Sequence, residues 1–167
     1  MKKKILIVID ILLIISTVIF ILSNSWTPAD KSNEKSEGVT DKVIENVKPL
    51  ENAIEQEKVE REDVHEYVRK TAHVLEYALL GAEMMLLLLL LFTQNPMQYL
   101  IYALFFGLAL GVCDESVQKL TDRTSNTVDI MRDFGGVCLG MVTAYLITLA
   151  VWAIAKKIKE KRAHADA

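Results

Sequence analysis

The chain has 167 residues, of which 51% are hydrophobic and 25% are charged, and its formal net charge at pH 7 is −3. Apolar and charged residues are segregated, and the apolar ones form four long runs, one of which contains six consecutive leucines (residues 86–91). Four such runs in so short a chain exclude an ordinary soluble domain and indicate an integral membrane protein.

A short basic N-terminus, residues 1–4, precedes the first predicted span, residues 5–22. Crossing a hydrocarbon core of roughly 30 Å takes about 20 helical residues, within a range of about 17–25, and all four apolar runs meet this requirement. A signal peptide cleaved near Ser23-Asn24-Ser25 is the alternative. The 18-residue apolar core is longer than the roughly 7–15 residues of a typical signal sequence, which favours an uncleaved helix.

Residues 23–70 form a predicted extracytoplasmic segment that is acidic and partly helical. From Thr27 to Val68 it contains 12 acidic and 6 basic residues, a net charge of −6. This balance argues against binding to nucleic acid and against simple adhesion to anionic lipid. Val39, Val43, Val47 and Ile54 recur at near-helical spacing, so the segment is either a solvated spacer or a lid lying on the membrane surface; the thin apolar stripe favours the spacer.

The remaining elements alternate between spans and short connections. We predict spans at residues 71–92, 97–115 and 134–155. A cytoplasmic turn at 93–96 and an extracytoplasmic loop at 116–133 join them. In that loop, Ser125 and Thr127 would cap the last helix. The tail, residues 156–167, is basic like the N-terminus, so both termini should be cytoplasmic. The fold class is therefore all-α, an integral membrane four-helix bundle.

Polar residues gather at one end of these spans, although charges at membrane depth are costly. His73 would lie about 3 Å and Glu76 about 8 Å below the outer boundary, on one stripe with Arg69, Leu80 and Glu83. The third and fourth spans bring further polar residues to the same level: Asp114, Glu115, Gln118, Asp129 and Asp133. Such stripes should face the interior of the bundle.

Two further features concern packing. The pairs Gly107/Gly111 and Gly136/Gly140 predict a close approach of the third and fourth spans. Asp10 and Glu83 fall in the inner third of the membrane, where they either share a proton as neighbours or each find a separate hydroxyl or lysine partner. For Asp10 we favour a separate partner, in the direction of Lys2–Lys4.

At these residues the chain resembles the VanZ-like family of small bacterial membrane proteins, over about residues 18–145. The matching pattern is ordered along the chain: Arg69-Lys70-Thr71-Ala72-His73, Glu76-Tyr77, Leu80-Gly81, Asp114-Glu115, Gln118, Arg123, Asp129, Asp133, Gly136 and Gly140. Many relatives carry Asn in place of Asp133. The resemblance implies a bacterial, Gram-positive, cytoplasmic membrane and a link to teicoplanin resistance, a form of antibiotic resistance, but it supplies no reaction.

The cluster suggests three kinds of function. As an enzyme acting on an envelope lipid or its glycan, the protein would hold a phosphate or carboxylate with Arg69, Lys70 and Arg123, and its catalytic candidates are His73, Glu76, Asp114 and Glu115. Tyr77, Gln118, Asp129 and Asp133 would support them. The catalytic candidates would also suit a divalent cation such as Mg²⁺ or Mn²⁺ better than zinc.

The second function is binding without turnover, in which the same residues capture an anionic lipid head group, a peptidoglycan precursor or a glycopeptide. The third is a structural ion network that fixes the helices in register. Clustered charge alone does not separate these three functions, since structural ion networks also gather ionisable groups. The variety of chemical types at one level favours a functional site, because apolar packing would stabilise a bundle at lower cost.

Overall fold

The computed structural model describes residues 2–27, 37–45, 61–92, 95–121 and 126–165. These residues form five α-helices: α1 (Lys2–Ser25), α2 (37–45), α3 (Arg61–Leu91), α4 (Leu100–Leu120) and α5 (Thr127–Ala165), with a short 3₁₀ helix at Pro96–Tyr99 before α4. The described residues contain no strand, which confirms the all-α class. Four of the helices, α1, α3, α4 and α5, are long and apolar enough to cross a membrane.

The helices are longer than the apolar runs from which they were predicted. α3 begins ten residues before the run that starts at Thr71, and α4 continues to Leu120. A helix satisfies its own backbone hydrogen bonds, so it continues into polar sequence until a cap ends it. At the start of α5 that cap is Asn126, whose side-chain oxygen accepts a hydrogen bond from the Val128 backbone N–H at 3.2 Å. Our assignment of Thr127 as a cap is therefore wrong, and Ser125 lies outside the described residues.

α3 is the central helix of the bundle. It contacts α1, α4 and α5, and its interface with α5 is the most extensive between the described helices. The buried core consists mainly of residues from these two helices, including Tyr77, Leu80, Met84, Val137 and Met141. The opposite faces of α1 and α5 expose leucine, isoleucine and valine side chains, as expected of surfaces that contact lipid.

The close approach of α3 and α5 depends on glycines on both helices. A Cβ atom added to Gly140 would lie 1.8 Å from the Ala78 carbonyl oxygen, and one added to Gly81 would lie 2.1 Å from the Val137 carbonyl oxygen. Gly136 is similarly close to α3, at 2.6 Å from the Val74 carbonyl oxygen. The two helices therefore touch backbone to backbone, which is the role of small residues in membrane bundles.

Our prediction for the two glycine pairs is correct for one pair and wrong for the other. Gly107 and Gly111 on α4 do face α5, where they lie against Val137 and Asp133. Gly136 and Gly140 face α3 instead of α4. Their spacing showed that a helix approaches closely there but did not identify which one.

The two deep acids are both buried. Glu83 accepts a hydrogen bond from the Thr17 hydroxyl at 3.0 Å, so it has found a hydroxyl partner as one of our alternatives expected. Asp10 is 6% exposed and lies close enough to Glu83 for the charges to interact, whereas Lys2–Lys4 are exposed. The expectation that Asp10 reaches these lysines is therefore wrong, because Asp10 is on the inward face of α1.

Part of the acidic segment is packed rather than solvated. In α2 the side chain of Thr40 is 1% exposed, while Val39 is 51% exposed. A nine-residue helix cannot bury a side chain to this degree by itself, so α2 lies against other parts of the chain. Most of the remaining segment, including Val47 and Ile54, lies outside the described residues.

Candidate functional site

One end of the bundle, which we call the polar end, brings together residues from four helices. It contains the last turn of α1, the first half of α3, the last two turns of α4 and the first two turns of α5. Its central side chains are Ser25, His73, Asp114 and Asp133. The convergence of polar residues from α3, α4 and α5 at one level is as predicted. The contribution of α1 is an addition that only the structure reveals.

Asp114 lies at the centre of the polar end, in contact with side chains from three helices. Its side chain is fully buried, and it accepts hydrogen bonds from the Ser25 hydroxyl and, at 3.1 Å, from the Gln118 amide. His73 Nδ1 lies 3.9 Å from the second carboxylate oxygen of Asp114. Gln118 is one helical turn beyond Asp114, so the i, i+4 spacing places its amide over the carboxylate. The side chain of Tyr77 is also fully buried and lies within electrostatic range of Asp114, Asp133 and Glu115.

The end of α1 is attached to the site by several hydrogen bonds. The Asn24 amide donates to Glu76 Oε1 at 3.0 Å, and the Thr121 hydroxyl donates to the Ser25 carbonyl oxygen at 3.2 Å. With the bond from the Ser25 hydroxyl, these contacts join α1 to both α3 and α4. The first helix is thus part of the site.

A cleft opens onto the polar end between α3, α4 and α5. It is lined by basic, acidic and amide side chains: Arg69, Lys70, His73, Glu115, Gln118, Asp129, Arg132 and Asp133. Lys70 forms an ion pair with Glu66, and Arg132 forms one with Asp129. The space that the centre of a water molecule can occupy is about 20 Å³, enough for about one water. A larger ligand would therefore require the ion-paired side chains to move.

Three groups at the base of the cleft have the composition of a metal site. One donor atom each from His73, Asp114 and Asp133 lies within 4.8 Å of the other two. Asp133 is 2% exposed, and its Oδ2 has no hydrogen-bond partner among the described residues. Of the four residues that we considered suitable for a divalent cation, His73 and Asp114 belong to this trio. Glu76 and Glu115 instead accept hydrogen bonds from Asn24 and Gln118.

The structure also modifies the predicted set of anion-binding residues. Arg69 and Lys70 line the cleft, but Arg123 lies outside the described residues. Arg132, which was not among the predicted anion-binding residues, lines the cleft beside Arg69 and Lys70. Its i, i+3 spacing from Asp129 and its place one residue before Asp133 were the signals that indicated this position.

Ser25 and Asn24 were also missing from the predicted site. Both follow the first apolar run, where we considered them only as part of a possible cleavage site. Their polar character at the end of a span was a weak signal, since residues in that position commonly face water.

Comparison with known proteins agrees with this architecture. A family model described as VanZ/LLP1 matches residues 10–148. This range includes most of each of the four long helices and every residue of the polar end. A search of curated proteins and a search of solved structures gave no match. The family match covers well over half of the chain, and the helices are those of a multi-pass protein. The chain therefore belongs to the VanZ-like family of membrane proteins.

Proposed function

We propose that the protein binds the anionic head group of a cell-envelope amphiphile at the outer leaflet of the bacterial cytoplasmic membrane. The observation that carries this proposal is the cleft, in which Arg69, Lys70 and Arg132 line one pocket at the end of the bundle. Guanidinium groups donate paired hydrogen bonds that match phosphate and carboxylate, and lysine adds a compact charge.

The two ion pairs at the cleft are weak enough for a ligand to replace the carboxylates that contact Lys70 and Arg132. The Lys70 and Arg132 side chains are 31% and 38% exposed, and their partners Glu66 and Asp129 are 55% and 27% exposed. Ion pairs with this much exposure contribute only about 0–1 kcal/mol. A phosphate carrying more charge than a single carboxylate can therefore displace them at little cost.

The location of the cleft suits an amphiphile better than a free solute. The bundle surface around it is apolar, with Leu75, Val128 and Met131 exposed at about the same level. An acyl or prenyl chain could lie along this surface while its head group enters the cleft. The outer leaflet follows from the proposed topology, in which the basic residues at both termini remain in the cytoplasm.

Catalysis is the second candidate function, and the arrangement of His73 and Asp114 favours it. A buried carboxylate near Nδ1 of a histidine orients the ring and leaves Nε2 as a general base. The distance of 3.9 Å is longer than a hydrogen bond, but such contacts often tighten when substrate binds. His73 lines the cleft, so a base at this position would face a bound head group.

The purely structural alternative makes a different prediction. If the polar end serves only to hold helices in register, removing a cleft cation should lower stability and should not alter ligand binding selectively. Asp114, with donors from α1 and α4, is the residue for which a structural role has the strongest support.

The test measures the retention of anionic lipid by the purified protein. Arg69→Gln and wild type would be reconstituted in phosphatidylcholine nanodiscs containing a small fraction of either phosphatidylglycerol or polyprenyl phosphate. Bound lipid would be counted by native mass spectrometry in the presence of EDTA. A charged hydrogen bond contributes about 1.5–3 kcal/mol, so the variant should bind roughly tenfold or more weakly, and salt should weaken wild-type binding.

Lys159→Gln is the matched control, since Lys159 is an exposed cation on the far end of α5. Equal retention by wild type and Arg69→Gln would overturn the proposal. Binding of teicoplanin in place of the lipids would assign the same cleft to a glycopeptide. Loss of turnover of a retained lipid in His73→Gln, with binding unchanged, would establish catalysis.

A further inference from the structure

We propose that His73, Asp114 and Asp133 bind one divalent transition-metal ion at the base of the cleft. The three residues come from α3, α4 and α5, so the ion would join three helices at one point. The inference rests on residues below the proposed head-group contacts, and it does not require that proposal to be correct.

The three donor atoms are spaced almost as closely as they would be around a bound metal ion. The three donor atoms lie within 4.8 Å of one another. The centre of an equilateral triangle with sides of 4.8 Å is about 2.8 Å from each corner, so one point lies within about 2.8 Å of all three atoms. Metal bonds to imidazole nitrogen and carboxylate oxygen are about 2.0–2.2 Å long. Each donor atom would therefore need to move by less than about 1 Å, which small rotations of the side chains supply.

The burial of the carboxylates provides an independent reason for a cation. Asp114 is 0%, Asp133 2% and Glu115 4% exposed. Asp114 lies beside Asp133 in the trio of donor groups, and it accepts from the same Gln118 amide as Glu115. Buried carboxylates in such proximity repel one another unless protons or cations compensate them. Asp133 belongs to the trio of donor groups, and its Oδ2 is buried without a hydrogen-bond partner among the described residues, so this carboxylate can still bind a cation.

The donor set distinguishes between classes of ion. Imidazole suits zinc, iron and copper, whereas carboxylates alone suit magnesium, calcium and manganese. One nitrogen with two oxygens therefore favours Mn²⁺ or Zn²⁺ over Mg²⁺ and Ca²⁺. This revises our expectation of Mg²⁺ or Mn²⁺, which was based on one histidine with three carboxylates. Three protein ligands also leave a coordination position open, as in catalytic metal sites. The cleft has space for about one water molecule, which would fill that position.

The test measures metal content and metal-induced stabilisation of the full chain, purified through an affinity tag without histidine. Protein stripped with EDTA would be titrated with Mn²⁺, Zn²⁺, Mg²⁺ or Ca²⁺ while its melting temperature is followed. We expect one Mn²⁺ or Zn²⁺ per chain and a rise in melting temperature that Mg²⁺ and Ca²⁺ do not reproduce. Pulsed electron paramagnetic resonance of the Mn²⁺ form should show coupling to a ¹⁴N nucleus, and His73→Gln should abolish it.

Asp133→Asn separates metal binding from folding. Because it removes one of the buried like charges, it should melt at the same temperature as the stripped wild type or higher. It should nevertheless bind metal more than about tenfold more weakly, since even residues that only support a metal ligand change affinity by about 10–100-fold. Glu83→Gln is the control, because it also changes a buried carboxylate to an amide. Glu83 lies about 15 Å from His73 along α3, so this change should leave metal binding unchanged.

Absence of bound metal in wild type at millimolar concentration would overturn the proposal. So would equal metal affinity in wild type and Asp133→Asn, or an unchanged ¹⁴N signal in His73→Gln. Since lipid retention is measured in EDTA and metal binding without anionic lipid, failure of one proposal is distinguishable from failure of the other.

Discussion

Replacing Gly140 with alanine should separate α3 from α5 and destabilise the bundle. The added Cβ would lie 1.8 Å from the carbonyl oxygen of Ala78, and 2.7 and 2.9 Å from its carbonyl carbon and Cα. All three are backbone atoms, so no side-chain rotation relieves the clash. Ordinary van der Waals contact begins near 3.4 Å, and the helix axes would therefore have to move apart by roughly 1.5 Å at this point.

The cost of this movement outweighs the benefit of alanine to the helix. Overpacking a close-packed core costs about 1–3 kcal/mol, and the largest values occur where backbone must shift. Alanine stabilises a helix by up to about 1 kcal/mol relative to glycine. We therefore expect Gly140→Ala to lower the free energy of unfolding by about 2 kcal/mol.

Gly135→Ala is the matched control on the same helix. Gly135 is exposed, and an added Cβ would have no heavy atom within 4 Å, so this change should be neutral or stabilising by up to about 1 kcal/mol. Both variants would be unfolded reversibly by SDS in mixed micelles and followed by circular dichroism. If Gly140→Ala were as stable as Gly135→Ala, the backbone contact between α3 and α5 would be wrong.

Two other changes test contacts of α1 and the topology. Thr17→Val leaves the buried Glu83 without its hydroxyl donor and should cost about 1 kcal/mol in the same unfolding assay, between the average of about 0.6 kcal/mol and the maximum of about 1.7 kcal/mol for such bonds in membranes. Thr148→Val should cost less than about 0.5 kcal/mol, because among the described residues that hydroxyl bonds only to a carbonyl oxygen of its own helix; equal losses would refute the hydrogen bond between Thr17 and Glu83. Finally, single cysteines added at either terminus should be labelled by a membrane-impermeant maleimide only after the cells are opened, and labelling in intact cells would refute the proposed orientation.

Much of the fold could be predicted from local patterns. The length of each apolar run determines whether a helix can cross a bilayer, so the four long helices follow from counting residues. The helical period of 3.6 residues also determines which residues share a face, and the burial of Leu80 and Glu83 follows from it. The convergence of His73, Asp114 and Asp133 at one end required only these lengths and an alternating direction of the helices.

The identity of the neighbours was decided by the tertiary structure alone. A glycine pair shows that some helix approaches closely, but only the packing shows that Gly136 and Gly140 face α3. The contribution of Ser25 likewise depends on α1 ending beside Asp114, a contact between residues 89 positions apart that no local pattern encodes. Sequence periodicity determines the inward face of each helix, whereas the order of helices around the bundle depends on the fit of all their surfaces together.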